Sequence, residues 1–404
     1  MCKNSERQIS SNRVTSRLGL ISGAFLALST IVPPLVFAHE FPNDRKLALE
    51  RALKNELANE SQAVKNGLRL RYKIAHSKPG DVIELEPGHY TFKMPGHYNV
   101  DRFFHYEANV LDVRINHSLT LRGTDPDASK TIIDAQGSSY QAKLAKGILV
   151  TRDARHQKEF PKKIELTVEN LTFQNAVGYS SNGAAIRAQG SAVTVRNCRF
   201  INNENGILFT SVNEEVPAND YTYAGSLTIL DSHFEKNGEH KKELAHGIYM
   251  SQGGLLTVRN TNFINTKHHG HHIKSLAART IVTGSTFDNE SNEITYNIDT
   301  PNGGNVLIQD NVFTYHRAPD GEDNRSMFNY SSLQSQSGKL PGKLDEYVFR
   351  NNQINNHHPR AKFINLDEDG SSHFKACGNK ISNLGDGKVN EAPRGLTKAC
   401  ANEG

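Results

Sequence analysis

The 404-residue sequence predicts an all-β solenoid, and three observations carry that reading. First, a six-residue frame, apolar–x–(Asn/Asp/Gly)–x–x–apolar, occurs eight times: Val168 to Phe173, Val195 to Phe200, Ile229 to Phe234, Val258 to Phe263, Val282 to Phe287, Ile308 to Phe313, Phe349 to Ile354 and Ala376 to Ile381. Second, its third position is Asn170, Asn197, Asp231, Asn260, Gly284, Asp310, Asn351 and Gly378. These residue types adopt positive φ at least cost, so the same tight bend is made once per repeat. Third, the bends lie 27, 34, 29, 24, 26, 41 and 27 residues apart. A constant local frame with variable lengths between is the mark of a stack, because insertions leave it as loops.

The repeating units read as strands. They are short, rich in Val, Ile, Thr and Phe, and alternate with period two, as in Leu256-Thr257-Val258-Arg259. They are too short and too β-branched for two-helix repeats, and the regularly placed leucines of a leucine-rich repeat are missing. A β-helix remains. Together with Gly80-Asp81-Val82-Ile83-Glu84-Leu85-Glu86-Pro87-Gly88-His89-Tyr90, which looks like an opening coil, the turn column resembles the right-handed parallel β-helix proteins of the pectate-lyase-like superfamily over roughly residues 75–385. The resemblance implies a single-stranded, right-handed parallel β-helix. It does not choose an activity, since that fold carries lyases, hydrolases, epimerases, esterases and adhesins.

The flanking segments divide the chain into 1–38, 39–75, 76–385 and 386–404. Arg13 and Arg17 precede an apolar run from Leu18 to Ala38 that ends Val36-Phe37-Ala38 and contains Pro33 and Pro34, the pattern of an export signal and not of a spanning helix. A periplasmic or secreted location follows. Residues 44 to about 66 read as an amphipathic helix, with Leu49, Leu53, Leu57 and Val64 near one face and Gly67 as its stop; such a helix suits the open end of a solenoid. The 386–404 segment reads as an irregular tail. Cys377 and Cys400 stand close enough in sequence to staple that tail or to remain free thiols, and Cys198 reads as a small core residue.

Charge narrows the partners. The signal carries Lys3, Arg7, Arg13 and Arg17 against Glu6, so its removal takes the net charge from +4 to +4 − 3 = +1. A generic affinity for nucleic acid is excluded, and after signal removal no membrane association is expected. A monomer that meets an acidic polysaccharide through local clustering is expected.

A second series, Ile186, Ile207, Ile248, Ile273, Ile298, Phe328 and Ile364, precedes the turns and reads as stacked inward. Its neighbours then face out: Ala185 and Arg187, Gly206 and Leu208, Gly247 and Tyr249, His272 and Lys274, Asn297 and Asp299, Met327 and Asn329, Phe363 and Asn365. Tyr249, His272, Lys274, Asn297 and Asp299 would form one patch roughly 10 Å long across adjacent rungs. His246 and His271 crowd one end, and Arg279 follows on the Lys274 strand.

That equipment suits proton transfer on a uronate polymer. β-Elimination needs a cation to neutralise the C6 carboxylate, a base for the C5 proton and an acid for the leaving oxygen. Tyr249, His272 and Lys274 are the candidate catalytic groups. Arg187, His246, His271, Arg279, Asn297 and Asp299 are the candidate substrate-binding ones. A lyase or C5-epimerase acting on a uronate-containing polysaccharide is expected. A glycoside hydrolase would need two carboxylates, and only Asp299 is offered. A non-catalytic glycan-binding rail is the other alternative. No cofactor is called for: the dense run His268, His269, His271, His272 lacks acidic or Cys partners at ligand spacing, and calcium would need clustered carboxylates.

Overall fold

The structure is a computed structural model. It describes residues 58, 60–91, 113–135, 146–151, 164–178, 183–210, 225–238, 245–290 except 268, 294–316, 326–331, 346–366, and 370–401 except 386 and 391. The export-signal segment and the stretches 211–224, 317–325 and 332–345 lie outside the described residues.

The chain folds as a right-handed parallel β-helix of three walls, and every described strand pairing is parallel. The first wall runs from Val113–Ile115 through Ala184–Gln189, Asn205–Thr210, Ile298–Thr300 and Ser326–Tyr330 to Val389–Asn390. The second includes Leu119–Gly123, Glu165–Glu169, Ala192–Arg196, Asn305–Gln309, Glu346–Arg350 and Phe374–Cys377. The third is a ten-stranded sheet from Gly88–Thr91 to Lys380–Asn383. Two long strands, Ile248–Arg259 and Ile273–Thr283, pass from the first wall into the second without a break.

The turn column is real at every position. Asn170, Asn197, Asp231, Asn260, Gly284, Asp310, Asn351 and Gly378 all have φ between 48° and 66°. Each bends the chain from the second wall into the third. The apolar ends of the frame point inward: Phe173, Phe200, Phe234, Phe263, Phe287 and Phe313 stack rung on rung, with centroids 4.6 to 5.5 Å apart. From Cys198 onward, the residue after each bend joins a polar ladder. The Cys198 backbone N–H donates to Ser232 Oγ, and Ser232 donates in turn to Thr261 Oγ1, Thr261 to Ser285 Oγ, Ser285 to Asn311 Oδ1, Asn311 to Asn352 Oδ1 and Asn352 to Asn379 Oδ1, at 2.8 to 3.4 Å. A buried N–H left over at the bend thus finds an acceptor on the next coil, which is why short polar side chains occupy this buried position. Cys198 itself is buried, and burial pushes its thiol up to about 12, an inert core residue.

A helix spans Gln62–Ala75, overlapping the end of the expected 44–66 helix; residues 44–57 lie outside the described residues. Ser61 caps it, its hydroxyl accepting from the Val64 N–H at 3.4 Å. Gly67 does not stop the helix but sits within it, where a Cβ would come within 2.1 Å of the Thr91 carbonyl. Glycine there lets the helix lie directly on the first strand of the third wall. Leu70 and Ile74 then join Ile83, Leu85 and Tyr90 in the core. At the other end Cys377 and Cys400 form a disulfide with Cα atoms 4.9 Å apart. The tail also satisfies the last rung: Gly378 N–H donates to the Lys398 carbonyl and Asn379 Nδ2 to the Leu396 carbonyl.

Asn352 is a heavily used residue in the middle of the ladder. Its Oδ1 accepts from both the backbone and side chain of Asn311, and its Nδ2 donates to the Ile308 carbonyl. Asn352→Leu should strand all of these partners and lower stability by about 2–4 kcal/mol, whereas Gln353→Ala on the exposed side of the same strand should cost under about 0.5 kcal/mol. Chemical denaturation of the two variants checks this.

Candidate functional site

The inward series on the first wall is in strict register. Ile186, Ile207, Ile248, Ile273, Ile298, Phe328 and Ile364 pair one to the next and are all buried. The residue after each forms one outward column: Arg187, Leu208, Tyr249, Lys274, Asp299, Asn329, Asn365. Tyr249, Lys274 and Asp299 therefore emerge side by side on consecutive rungs, as the sequence read them.

The residue before each centre behaves otherwise. Ala185, His272, Asn297, Met327 and Phe363 are all buried to 0% exposure. In the His272 and Asn297 coils the strand begins only at Ile273 and Ile298. The preceding residue lies in the bend from the third wall, where alternation has not started, and its side chain turns inward. His272 is thus no outward base. Its ring lies 6.0 and 5.9 Å from the core rings of Phe263 and Phe287, and its Nδ1 is 2.7 Å from Thr266 Oγ1. Burial, followed by the charge of His271, lowers its pKa to about 3, so it is a neutral core histidine. Asn297 likewise does not reach the face.

His246 and His271 are also buried, under the column and not on it. Their rings stack at 4.6 Å and 10°, and His246 Nδ1 accepts the His271 backbone N–H at 3.0 Å. That bond leaves Nε2 as the protonated nitrogen of neutral His246. Its edge meets the Tyr249 ring at 5.2 Å, so it braces the phenol from below. Burial, then the charges of His271 and Lys274, holds the His246 pKa well below its usual value. Gly247, next in the chain, could not carry a side chain: a Cβ would stand 2.6 Å from the His272 carbonyl.

Asp299 is the hub, and it too is buried, at 3% exposure. One carboxylate oxygen lies 3.2 Å from His271 Nε2 and 3.6 Å from Lys274 Nζ; the other accepts from Asn329 Nδ2 at 2.7 Å. Asn365 Nδ2 in turn donates to Asn329 Oδ1 at 3.0 Å, extending a side-chain ladder along the column. Burial alone would raise the Asp299 pKa. The charge and hydrogen bond of His271, with Lys274 and Asn329, outweigh it and hold the carboxyl below its ordinary value. Asp299 is accordingly an anchor for its neighbours and not a group that meets substrate. Lys274 keeps a 23% exposed side chain, its ammonium 5.8 Å from the Tyr249 ring centroid. Phenol and ammonium are the accessible pair, with a carboxylate and two imidazoles beneath them.

The two arginines stand apart. Arg187 shares the column but lies two rungs from Tyr249, with Leu208 between, and is 8% exposed. Arg279 lies past the corner on the second wall, paired with Leu255 and Asn305. The sequence reading did not find Thr266 or Tyr296, whose ring tilts against His271 at 5.3 Å. Tyr296 lies three residues before Asp299, the spacing that separates His246 from Tyr249, and that recurrence was its only signal.

Walls, turn column and stacked core together define a right-handed parallel β-helix. Residues 146–313 match a family described as the right handed beta helix region. No curated protein matches the chain significantly in sequence. Among solved structures, the alginate lyase from Paenibacillus sp. str. FPU-7 superposes with a TM-score of 0.50 and 14% identity, over 82% of this chain and 97% of its own. The A-module of the mannuronan C-5 epimerase AlgE6 from Azotobacter vinelandii gives 0.34 and 12%, over 86% and 99%. At these identities the likeness is one of fold.

The buried histidines set a pH dependence. His272 stays neutral in the folded chain down to about pH 3, whereas a free imidazole takes its proton near 6.5. The stability tied to its neutral form is complete above 6.5 and is lost as pH falls from 6.5 toward 3. His246 acts in the same direction. Asp299 works lower down: its contribution is present above 3.8 and disappears only below that. Stability should therefore fall on acidification by up to about 1.4 kcal/mol per pH unit for each such histidine. His272→Gln should show a shallower slope, and denaturation at about pH 7.5 and about pH 5.5 compares them.

Proposed function

We propose that the chain is an exported, polysaccharide-active β-helix protein that cleaves a uronate polymer by β-elimination on the first wall. The observation that carries this is the half-buried Tyr249–Lys274 pair on adjacent rungs, with Lys274 tied to a buried carboxylate. A uronate C5 proton becomes acidic only when the C6 carboxylate is neutralised. Lys274 supplies that charge from a fixed position, because Asp299 restrains its ammonium. The phenolic oxygen of Tyr249 is the base that takes the C5 proton. The electron pair forms the C4–C5 double bond, the C4–O bond breaks, and the phenol returns the proton to the leaving oxygen. His246 and His271 orient the two working side chains and touch no substrate.

A hydrolase is disfavoured by the same geometry. It would need two carboxylates flanking the bond, and the one in the column is buried and fully engaged. Alginate is the first polymer to test, since it is the substrate named for the Paenibacillus fold neighbour.

Tyr249→Phe should reduce turnover by about 10²- to 10⁴-fold while leaving polymer binding intact. Lys274→Ala should raise KM and lower kcat together, and Lys274→Arg should recover part of both, as expected for a charge role. The ultraviolet absorbance of the unsaturated uronate product reads all three. Full activity in Tyr249→Phe would falsify its assigned role. New chain ends without absorbance select a hydrolase, exchange at C5 without cleavage selects an epimerase, and binding alone selects a passive rail.

A further inference from the structure

A concavity lies on the second wall, a cavity of about 590 Å³, of the size small ligands occupy. The strand Ile273–Thr283 connects the two regions: Lys274 faces out on the first wall, and Arg279, past the corner, stands at the head of this cavity. Its floor is aliphatic. Leu307 and Val348 pair on adjacent rungs and face out, while Val306, Ile308, Tyr347 and Phe349 beside them are buried. The Cys377–Cys400 disulfide closes the far end.

The rim is cationic. Arg279, Arg350 and Lys375 line it against one acid among the described residues, Glu346, whose carboxylate is engaged by Lys375. Arg350 Nε donates to Gln309 Oε1 at 2.9 Å, which fixes its guanidinium. Exposed Arg279 makes no ion pair among the described residues. Register gives the spacing. Arg279, Asn305 and Glu346 share one column, and Arg350 is four residues further along its strand. The two arginines are thus two rungs and four residues apart, about 16 Å by rung spacing and strand rise. One carboxylate cannot meet both, but a chain bearing several can. Arginine suits such contacts because its fork matches a carboxylate in two bonds.

We infer that this groove is an ancillary binding site for an anionic polysaccharide segment. Uronate carboxylates pair with Arg279 and Arg350, and the apolar faces of the sugars lie on Leu307 and Val348. The inference rests on the reading of the first wall only in supposing that one polymer serves both; its test needs no turnover.

The probes are hexasaccharides of alginate and of polygalacturonate, titrated calorimetrically into the Tyr249→Phe protein, which keeps the groove intact. The combined Arg279→Ala and Arg350→Ala changes should weaken binding at least tenfold. Arg279→Lys with Arg350→Lys should retain most of it, and Glu346→Gln, which removes the one acid, should strengthen it severalfold. Added salt should weaken it throughout. These side chains lie on the surface, so thermal unfolding of each variant should match the parent. The inference is overturned if the double alanine protein binds as the parent does, if a neutral hexasaccharide binds equally well, or if an acidic peptide displaces the uronate with higher affinity. Should the wild type turn over no uronate polymer while the groove still binds, the reading of the first wall fails and this one stands.

Discussion

Register between coils is the constraint on which everything else rests. A strand that slips by one residue exchanges its inner and outer faces, so a reaction centre assembled from different coils exists only if each coil stops and restarts at the same place. In this chain the stop is the left-handed residue between the second and third walls, and the restart is the polar side chain just after it. The bend fixes where the coil turns; the hydrogen bond from that position to the next coil fixes its height. The phenylalanine stack then fills the interior at the same period. Bend, ladder and stack agree at every rung from Val195 to Phe313.

The outward column inherits this precision, and its chemistry comes from layering. An exposed ammonium is ordinarily mobile, and an exposed ion pair contributes little. Burying Asp299 under three donors changes that, because a desolvated carboxylate holds its partners firmly and is itself held. The asparagines along the column pass this restraint from rung to rung, and the stacked histidines fill the space behind the phenol with rigid rings. A flat sheet thereby presents two oriented polar groups without the walls of a deep cleft.

The parts of this arrangement set by local chemistry were legible in the sequence. Asn, Asp and Gly announce positive φ by type, and the column of central isoleucines announced the wall. Tyr249, Lys274 and Asp299 followed by simple alternation. What failed was the assumption that alternation extends one residue before the strand. His272 and Asn297 sit in a bend, where backbone direction and not pleat decides orientation, and no spacing in the sequence distinguishes the two. The burial of Asp299, His246 and His271 was hidden for a related reason. Facing outward in register does not guarantee meeting solvent when neighbouring groups close over the position. The stop at Gly67 was misread because that residue was judged by propensity, whereas its place within the helix is set by the Thr91 carbonyl pressed against it. The disulfide could not be decided from Cys377 and Cys400 alone, since their approach depends on how the tail returns.

That returning tail has a wider meaning. In a solenoid each coil offers the next a row of unused donors and acceptors, and nothing in the repeat itself says where to end. Here the carbonyls of Leu396 and Lys398 occupy the positions a further coil would fill, and the sulfur bridge clamps them there. The terminus acts as a counterfeit rung. At the Gly378–Asn379 corner it lends acceptors to donors that the repeat would otherwise offer to a following coil.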